Sequence, residues 1–310
     1  MDWSQLLWPW GVRTAFGFCS AAGFWATVFL LLWAFVLACL RRVCDKHESL
    51  INGVSRGTVA LKIMMLCHHA VVSILALVAV VDDPTIISML TQPGDATAAN
   101  DMMRDSRGPS LAAEVLTPVT IGYMVTDLLL LSQWHLTDQA NWPEAVLMLG
   151  HHTLSLISWP CAVLWDFCAR YVVILLAFEV SSLFLTINWL LTISGRKTSL
   201  LYIISGLLFT GSFVVVRLGC VISQLLAFWQ APPWLTYLSG VPAWAPPGSA
   251  LLVIPHLLNL FWGVKVVKGF AKVARGFLNG GSGEAENNGD YSRSSGGEES
   301  DHDWTVHRKK

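Results

Sequence analysis

Long apolar stretches alternate with short polar segments along most of this chain. A helix needs about 20 apolar residues to cross the hydrocarbon core of a bilayer. Stretches of about this length are residues 17–40, 58–81, 113–134, 144–165, 170–193, 200–229 and 248–268. The third stretch contains Glu114 and Pro118, so six spans are the alternative count. The pattern predicts an all-α, polytopic membrane bundle of about seven transmembrane helices.

Basic residues indicate how this bundle is oriented. They follow the first, fifth and seventh stretches, at Arg41, Arg42, Lys46, Arg56, Arg196, Lys197, Lys265, Lys268, Lys272 and Arg275. Short cytosolic loops carry the excess of lysine and arginine in membrane proteins. The N-terminus is therefore expected on the lumenal or extracellular side, and the C-terminus in the cytosol. The first stretch is longer than the roughly 7–15 apolar residues of a signal peptide, so we expect it to remain as a helix.

Composition agrees with a membrane protein and argues against nucleic acid as a partner. Hydrophobic residues make up 54% of the chain and charged residues 13%, whereas charged residues are about a quarter of a soluble domain. The net charge of -1 offers no basic excess for nucleic acid. Residues 276–310 are rich in glycine, serine and acidic residues, which predicts a disordered cytosolic tail.

Polar and ionisable side chains occur inside several of the apolar stretches. Such a group is costly in hydrocarbon unless it is paired or faces a wet cavity. Besides two histidines in the fourth stretch, these residues are His68, His69, Tyr123, Asp127, Glu179, Ser182, Arg217 and His256. Counted along the helices, most of them lie in the cytosolic half of the membrane, with Glu179 near the middle and Arg217 beyond it. We expect them to line a shared polar cavity. The simpler role of a single histidine is a hydrogen bond to a neighbouring helix, and that of Arg217 is to be the counter-ion of Glu179 or Asp127.

The adjacent His151 and His152 are the candidates for chemistry. An imidazole acts as a base or nucleophile when a carboxylate orients it, and Asp127 is the candidate carboxylate. Neighbouring side chains on a helix point about 100° apart, so we expect at most one histidine to face the centre of the cavity. The chain has no H-E-x-x-H or H-x-x-E-H zinc pattern and no glycine-rich phosphate loop, so no metal and no bound cofactor are predicted.

Several segments, in their order along the chain, resemble the signatures of the TLC domain. They are the early Cys-His-His of residues 67–69, Gly-Tyr-Met-Val-Thr-Asp at 122–127, His-His-Thr-Leu-Ser-Leu at 151–156, the segment 178–189, Phe-Val-Val-Val-Arg at 213–217 and Leu-Asn-Leu-Phe-Trp at 258–262. The resemblance implies a TLC-domain fold over residues 50–275. Residues 1–49 then form an N-terminal segment with the first transmembrane helix, and residues 276–310 form the tail.

Ceramide synthases, which belong to the same family, follow their paired histidines with a His-Asp element in the next span. Here the corresponding residues 177–182 read Ala-Phe-Glu-Val-Ser-Ser, with Glu179 and no His-Asp pair. The chain is therefore more similar to the small TLC-domain-containing, transmembrane-56-like proteins. That resemblance implies lipid handling, with membrane lipids or acyl chains as partners.

Three functions remain open. The first is lipid homeostasis, through lipid sensing, lipid binding or control of membrane composition. The second is N-acyl transfer of ceramide-synthase type, in which acyl-CoA is a substrate, His151 or His152 is the base or nucleophile, and Asp127 orients it. The third is a cargo receptor or trafficking adaptor whose tail carries sorting signals. The expected location is the endoplasmic reticulum membrane, with the plasma membrane as the alternative.

Overall fold

The computed structural model describes residues 13–44, 54–103, 111–134 and 142–279, and regular secondary structure in these ranges is helical. The α-helices are α1 (Ala15–Cys44), α2 (Arg56–Asp82), α3 (Pro84–Thr91), α4 (Ala96–Asp101), α5 (Leu111–Trp134), α6 (Trp142–Ser158), α7 (Pro160–Leu164), α8 (Ala169–Ala177), α9 (Glu179–Ile193), α10 (Leu200–Ser212), α11 (Gly219–Gln230), α12 (Ala245–Gly248) and α13 (Val253–Asn279). A π-helical turn, Phe213–Leu218, joins α10 to α11, and 3-10 turns at Pro233–Leu235 and Ser249–Leu252 flank α12. The all-α prediction is confirmed.

In the described part of the chain, five helical stretches are long and apolar enough to cross a membrane. They are Ala15–Val43, Arg56–Asp82, Ala169–Ile193, Leu200–Leu235 and Ala245–Ala271. These correspond to the first, second, fifth, sixth and seventh predicted spans, and they confirm a multi-pass membrane protein. The third predicted span falls on α5, and the fourth falls on α6 and α7. The count of seven stays a prediction.

The chain divides into two compact units, Met1–Phe270 and Ala271–Lys310. In the second unit, residues 271–279 form the end of α13, so the first four residues of the predicted tail are helical. Residues 280–310 lie outside the described residues, as does the domain boundary expected at residues 49 and 50. The sorting signals that the trafficking hypothesis places in the tail fall largely within these residues.

Helix α1 packs antiparallel to α2 and covers polar side chains of α2 and α5. Trp33 donates from Nε1 to the carbonyl oxygen of Gly57 at 3.3 Å. One turn before Trp33 on α1, Phe29 makes edge-on contacts with His68 of α2 and with Tyr123 of α5, each with ring centroids 5.8 Å apart. The first helix thus supplies an apolar cover for two of the predicted site residues.

Helices α1 and α5 approach closely at Gly122. A Cβ atom on this residue would lie 2.7 Å from the carbonyl oxygen of Ala22 and 2.7 Å from the backbone nitrogen of Ala26. Thr126, one turn later on α5, donates to the carbonyl oxygen of Ala26 at 2.9 Å. Small residues allow two membrane helices to bring their backbones this close. The contact also fixes the position of Tyr123, the next residue in the chain.

We expect Gly122→Ala to lower the free energy of unfolding by about 1–3 kcal/mol, because the added methyl group would overlap backbone atoms of α1. Thermal unfolding of the purified protein in detergent would measure the change. Gly23→Ala on α1 is the control, since a Cβ there would meet nothing within 4 Å. Equal melting temperatures for the two variants would contradict the close approach.

A buried ion pair joins the loop after α2 to the start of α8. Arg170 donates from Nε to Oδ2 of Asp83 at 2.9 Å, and from Nη1 to the carbonyl oxygen of Asp101. Asp83 also caps α3 by accepting a hydrogen bond from the backbone of Thr85 at 2.9 Å. Burial alone would raise the pKa of Asp83, but the hydrogen bond and charge of Arg170 outweigh it and hold that pKa below its ordinary value.

We expect Asp83→Asn to destabilise the protein by about 3–5 kcal/mol, because it removes a carboxylate from a buried ion pair. Since the pKa of Asp83 is lowered in the folded state, its stabilising contribution is present above the ordinary value of about 3.9 and is lost as the pH falls below it. Thermal unfolding between neutral and acid pH would measure both effects. Asp82→Asn, at an exposed neighbouring position, should change little. An equal loss in both variants would contradict this role of the pair.

Candidate functional site: an intramembrane cavity

A cavity of about 520 Å³ lies between the helices of the first unit, with a largely apolar wall. Its size is in the range of about 300–1,000 Å³ that small-molecule sites occupy. The predicted site residues that reach its wall are His68, His69, Tyr123, His151, His152, Glu179, Ser182 and Arg217. They come from α2, α5, α6, α9 and the π-helical turn. The fold therefore brings together polar groups that are distant in sequence.

His152 and Asp127 form an imidazole–carboxylate pair between α6 and α5. Nδ1 of His152 lies 3.2 Å from Oδ2 of Asp127, and both side chains are buried. The distance suits an ion pair, although the two atoms are not aligned as a hydrogen bond. His152 is part of the cavity wall, whereas Asp127 lies outside it.

His151 reaches the wall as well. Its ring centroid lies 5.6 Å from that of His152, and the two rings are tilted by 49°. Of these two histidines, His152 is the one in contact with Asp127. Both imidazoles thus border the cavity. That at most one of them faces its centre stays a prediction.

Tyr123 lies at the centre of a group of imidazole rings. It stacks on His68 with centroids 4.0 Å apart and an interplanar angle of 14°. The rings of His69 and His152 lie 6.1 and 6.2 Å from it, both edge-on. His68 also places Nε2 3.2 Å from the hydroxyl of Thr120. This histidine therefore has a partner on a neighbouring helix, the simpler of the two roles considered for it.

A second imidazole–carboxylate pair joins α2 to α9. Nδ1 of His69 lies 2.9 Å from Oε2 of Glu179. Glu179 is the first residue of α9, where the positive end of the helix dipole favours a carboxylate. The residue that departs from the ceramide-synthase pattern thus contacts a histidine that precedes it by 110 positions in the chain.

The π-helical turn carries Arg217 into the cavity wall. Arg217 donates from Nε to the carbonyl oxygen of Phe178 at 3.1 Å, from Nη1 to Oδ1 of Asn259 at 2.9 Å and from Nη2 to Oγ of Ser182 at 2.7 Å. The first acceptor is the residue between α8 and α9, and the others belong to α13 and α9. π-helical turns inside α-helices are rare and occur frequently at functional sites. One guanidinium group thus connects three segments around the cavity.

Two expectations differ from the structure. Among the described residues Arg217 forms no direct ion pair with Glu179 or Asp127, because neutral oxygens take its donors. His256 is buried but lies outside the cavity wall. Its Nδ1 lies 2.6 Å from the carbonyl oxygen of Leu252. The backbone one turn earlier therefore supplies a partner for one of the two ring nitrogens of this histidine.

The sequence assigned no site role to several other wall residues, among them Lys62, Trp189, Asn259 and Lys265. The two lysines lie near the ends of apolar stretches, where basic residues are expected for topology alone. A signal was present in the spacing, since Lys62 precedes His69 by seven residues. Seven residues are about two turns, so both side chains lie on one face of α2.

The family model of the TLC domain matches residues 58–268, more than half of the chain. The chain belongs to the TLC-domain family. The matched range contains every residue of the cavity wall. No curated protein and no solved structure matches this TLC-domain protein. The family that the motifs suggested is thereby confirmed.

Proposed function

We propose that this TLC-domain protein binds a membrane lipid in its intramembrane cavity and acts in lipid homeostasis, through lipid sensing, lipid binding or control of membrane composition. The observation that carries the proposal is the cavity itself, whose largely apolar wall includes the imidazoles of two imidazole–carboxylate pairs. Ligand sites typically combine an apolar wall with a few convergent polar groups. The apolar part suits an acyl chain, and the polar cluster suits a headgroup or ester.

The contact of Glu179 with His69 supports a finer placement within the family. In this chain Glu179 belongs to a pair with α2, and residues 177–182 contain no His-Asp element. This favours the small TLC-domain-containing proteins over the ceramide synthases. We further propose seven spans, a lumenal N-terminus, a cytosolic C-terminus and residence in the endoplasmic reticulum, on the distribution of basic residues and the shared family.

We expect Leu258→Trp to reduce the lipid that copurifies with the protein, because a larger side chain in the wall fills part of the cavity. Lipid extraction and mass spectrometry of the purified protein would measure lipid retained per mole of protein. Leu257→Trp is the matched control, since its neighbouring side chain is exposed and lies outside the wall. An equal lipid content in both variants and the wild type would overturn the proposal.

Acyl transfer from acyl-CoA to an amine is the second candidate, and the His152–Asp127 pair favours it. In such a step the amine nitrogen forms a bond to the thioester carbonyl carbon and the thiolate leaves. An imidazole held by a carboxylate takes the proton that the amine loses. The cavity places that imidazole in its wall, with the carboxylate behind it.

If the protein is an acyltransferase, we expect Asp127→Asn to lower N-acyl product formation by about 10²–10⁴-fold, the usual contribution of general base catalysis. The assay supplies acyl-CoA and sphinganine to the purified protein and quantifies product by mass spectrometry. A wild-type protein without turnover would reject acyl transfer and leave lipid binding in place. Full activity in Asp127→Asn would reject this residue as the group that orients the base.

A further inference from the structure

The cavity wall has a cationic and aromatic end that neither imidazole pair explains. It is formed by Lys62, Trp189, Trp262 and Lys265, here termed the lysine end. Nζ of Lys62 lies 5.7 Å from the ring centroid of Trp189, within the distance of a cation–π contact. Nζ of Lys265 lies 4.7 Å from the ring centroid of Phe261, the neighbour of Trp262. Aromatic faces thus hold both ammonium groups.

Lys62 lies on the α9 side of this end. Helices α2 and α9 run antiparallel, because Lys62 contacts Trp189 while His69, later on α2, contacts Glu179, earlier on α9. Lys62 is therefore about two turns from the imidazole pair, toward the end of α9.

Helix α9 also runs antiparallel to the helix formed by α10, the π-helical turn and α11. Ser205 hydrogen-bonds to Asn188 near the end of α9, and Arg217, further along that helix, bonds to Ser182 near its start.

The same long helix runs antiparallel to α13. The ring of Phe228 packs against His256 near the start of α13, with centroids 5.5 Å apart. Leu218, earlier on the long helix, lies beside Gly263, later on α13, where a Cβ would be 2.8 Å from the Leu218 side chain. Since both α9 and α13 are antiparallel to one helix, they are parallel to each other.

This direction places the two lysines at the same end of the cavity. Arg217 bonds to Ser182 and to Asn259, which sets those residues at one level on α9 and α13. Trp189 follows Ser182 by seven residues and Lys265 follows Asn259 by six. At 1.5 Å per residue, both advance roughly 9–10 Å in the same direction. Lys62, in contact with Trp189, shares that level.

The charges of the wall are unbalanced toward the positive. Its cationic residues are Lys62, Arg217 and Lys265, and its one carboxylate belongs to Glu179, which contacts His69. Within the described ranges, neither lysine has an ion-pair partner. Lys62 is partly buried beside the apolar wall, where a cation is unfavourable unless an opposite charge compensates it, whereas Lys265 is exposed. Asp127 lies near Lys62 but outside the wall, in contact with His152.

We propose that the lysine end binds the phosphate group of an acyl lipid whose chains occupy the apolar part of the cavity. This inference rests on the proposed lipid-binding function and names its ligand class. A phosphate monoester carries about -1.5 to -2 charges at pH 7, which compensates two lysines. Lysine is a common phosphate ligand, acting as a point charge. Tryptophan and lysine together also suit the level of lipid headgroups at a membrane interface.

Binding of phosphatidic acid and of diacylglycerol with the same chains would test the proposal, by native mass spectrometry of the purified full-length protein. The wild type is expected to prefer phosphatidic acid, and added salt should weaken that preference. Lys62→Gln and Lys265→Gln should each reduce phosphatidic acid binding by about tenfold and leave diacylglycerol binding unchanged. Lys62→Arg and Lys265→Arg should retain binding, which separates loss of charge from loss of folding.

Lys268→Gln is the matched control, because Lys268 is exposed like Lys265 and lies three residues beyond it on the same helix, but is outside the wall. An equal loss in Lys268→Gln, or equal wild-type binding of both lipids without salt dependence, would overturn the lysine end as a phosphate site. In the second case, continued lipid retention that Leu258→Trp abolishes would leave lipid binding intact. A wild type that retains neither lipid would overturn lipid binding as well.

A competition arm distinguishes two sources of the same chemistry, a phospholipid and an acyl-CoA. Palmitoyl-CoA carries both an acyl chain and phosphates, whereas inorganic phosphate carries no chain. Displacement of phosphatidic acid by palmitoyl-CoA at lower concentration than by further phosphatidic acid would assign the site to the CoA ester. The reverse order would assign it to a membrane phospholipid. Equal displacement by inorganic phosphate would overturn the role of the acyl chain.

Discussion

The imidazoles and carboxylates that pair within this bundle depend on partners from other helices, because hydrocarbon offers them no hydrogen bonds. His152 meets Asp127 between α6 and α5, and His69 meets Glu179 between α2 and α9. Each pair holds two helices in register, and each also presents an imidazole to the cavity. The contacts that make the buried charges tolerable therefore build the site. A substitution in either pair affects folding and binding together, which is why the variants that isolate lipid binding lie elsewhere in the wall.

Arg217 shows a second way to accommodate a charge in the same environment. Its guanidinium spreads three hydrogen bonds over neutral oxygens that irregular backbone and polar side chains provide. One acceptor is the carbonyl of Phe178, at the point where α8 gives way to α9. Helix breaks at membrane depth are tolerated where they face protein or a cavity. Here the side chain of Arg217 connects the helix break to the π-helical turn. Its three acceptors are neutral oxygens, so they do not cancel its positive charge.

The apolar lengths in the sequence predicted the helical class and about seven spans, because the backbone of each span must form its hydrogen bonds within its own segment. Five of these spans correspond to described helices that are long and apolar enough to cross a membrane. The pairing of Asp127 with the adjacent histidines could also be predicted, because counting residues along each helix places these side chains at similar depths in the membrane. The partners of Glu179 and Arg217 could not be predicted, because sequence spacing does not say which helices are neighbours. Nδ1 of His256 contacts the carbonyl oxygen of Leu252 in the same segment. Lys62 resembled an ordinary charge at the end of an apolar stretch, although it lies in the cavity wall. The periodicity of a segment shows which residues share a helix face, whereas the arrangement of the helices decides which residues that face contacts.

The match to the TLC domain begins at residue 58, after α1 has ended. Yet Phe29 of α1 covers the stacked rings of His68 and Tyr123, and Gly122 is fitted to the α1 backbone. The domain that the family shares is thus not a closed unit in this chain, since one side of its imidazole cluster is finished by a helix from outside it. The first helix lines no part of the cavity wall, so it acts on the site through the rings that it covers. A substitution on α1 could therefore shift the imidazole cluster without touching a bound ligand.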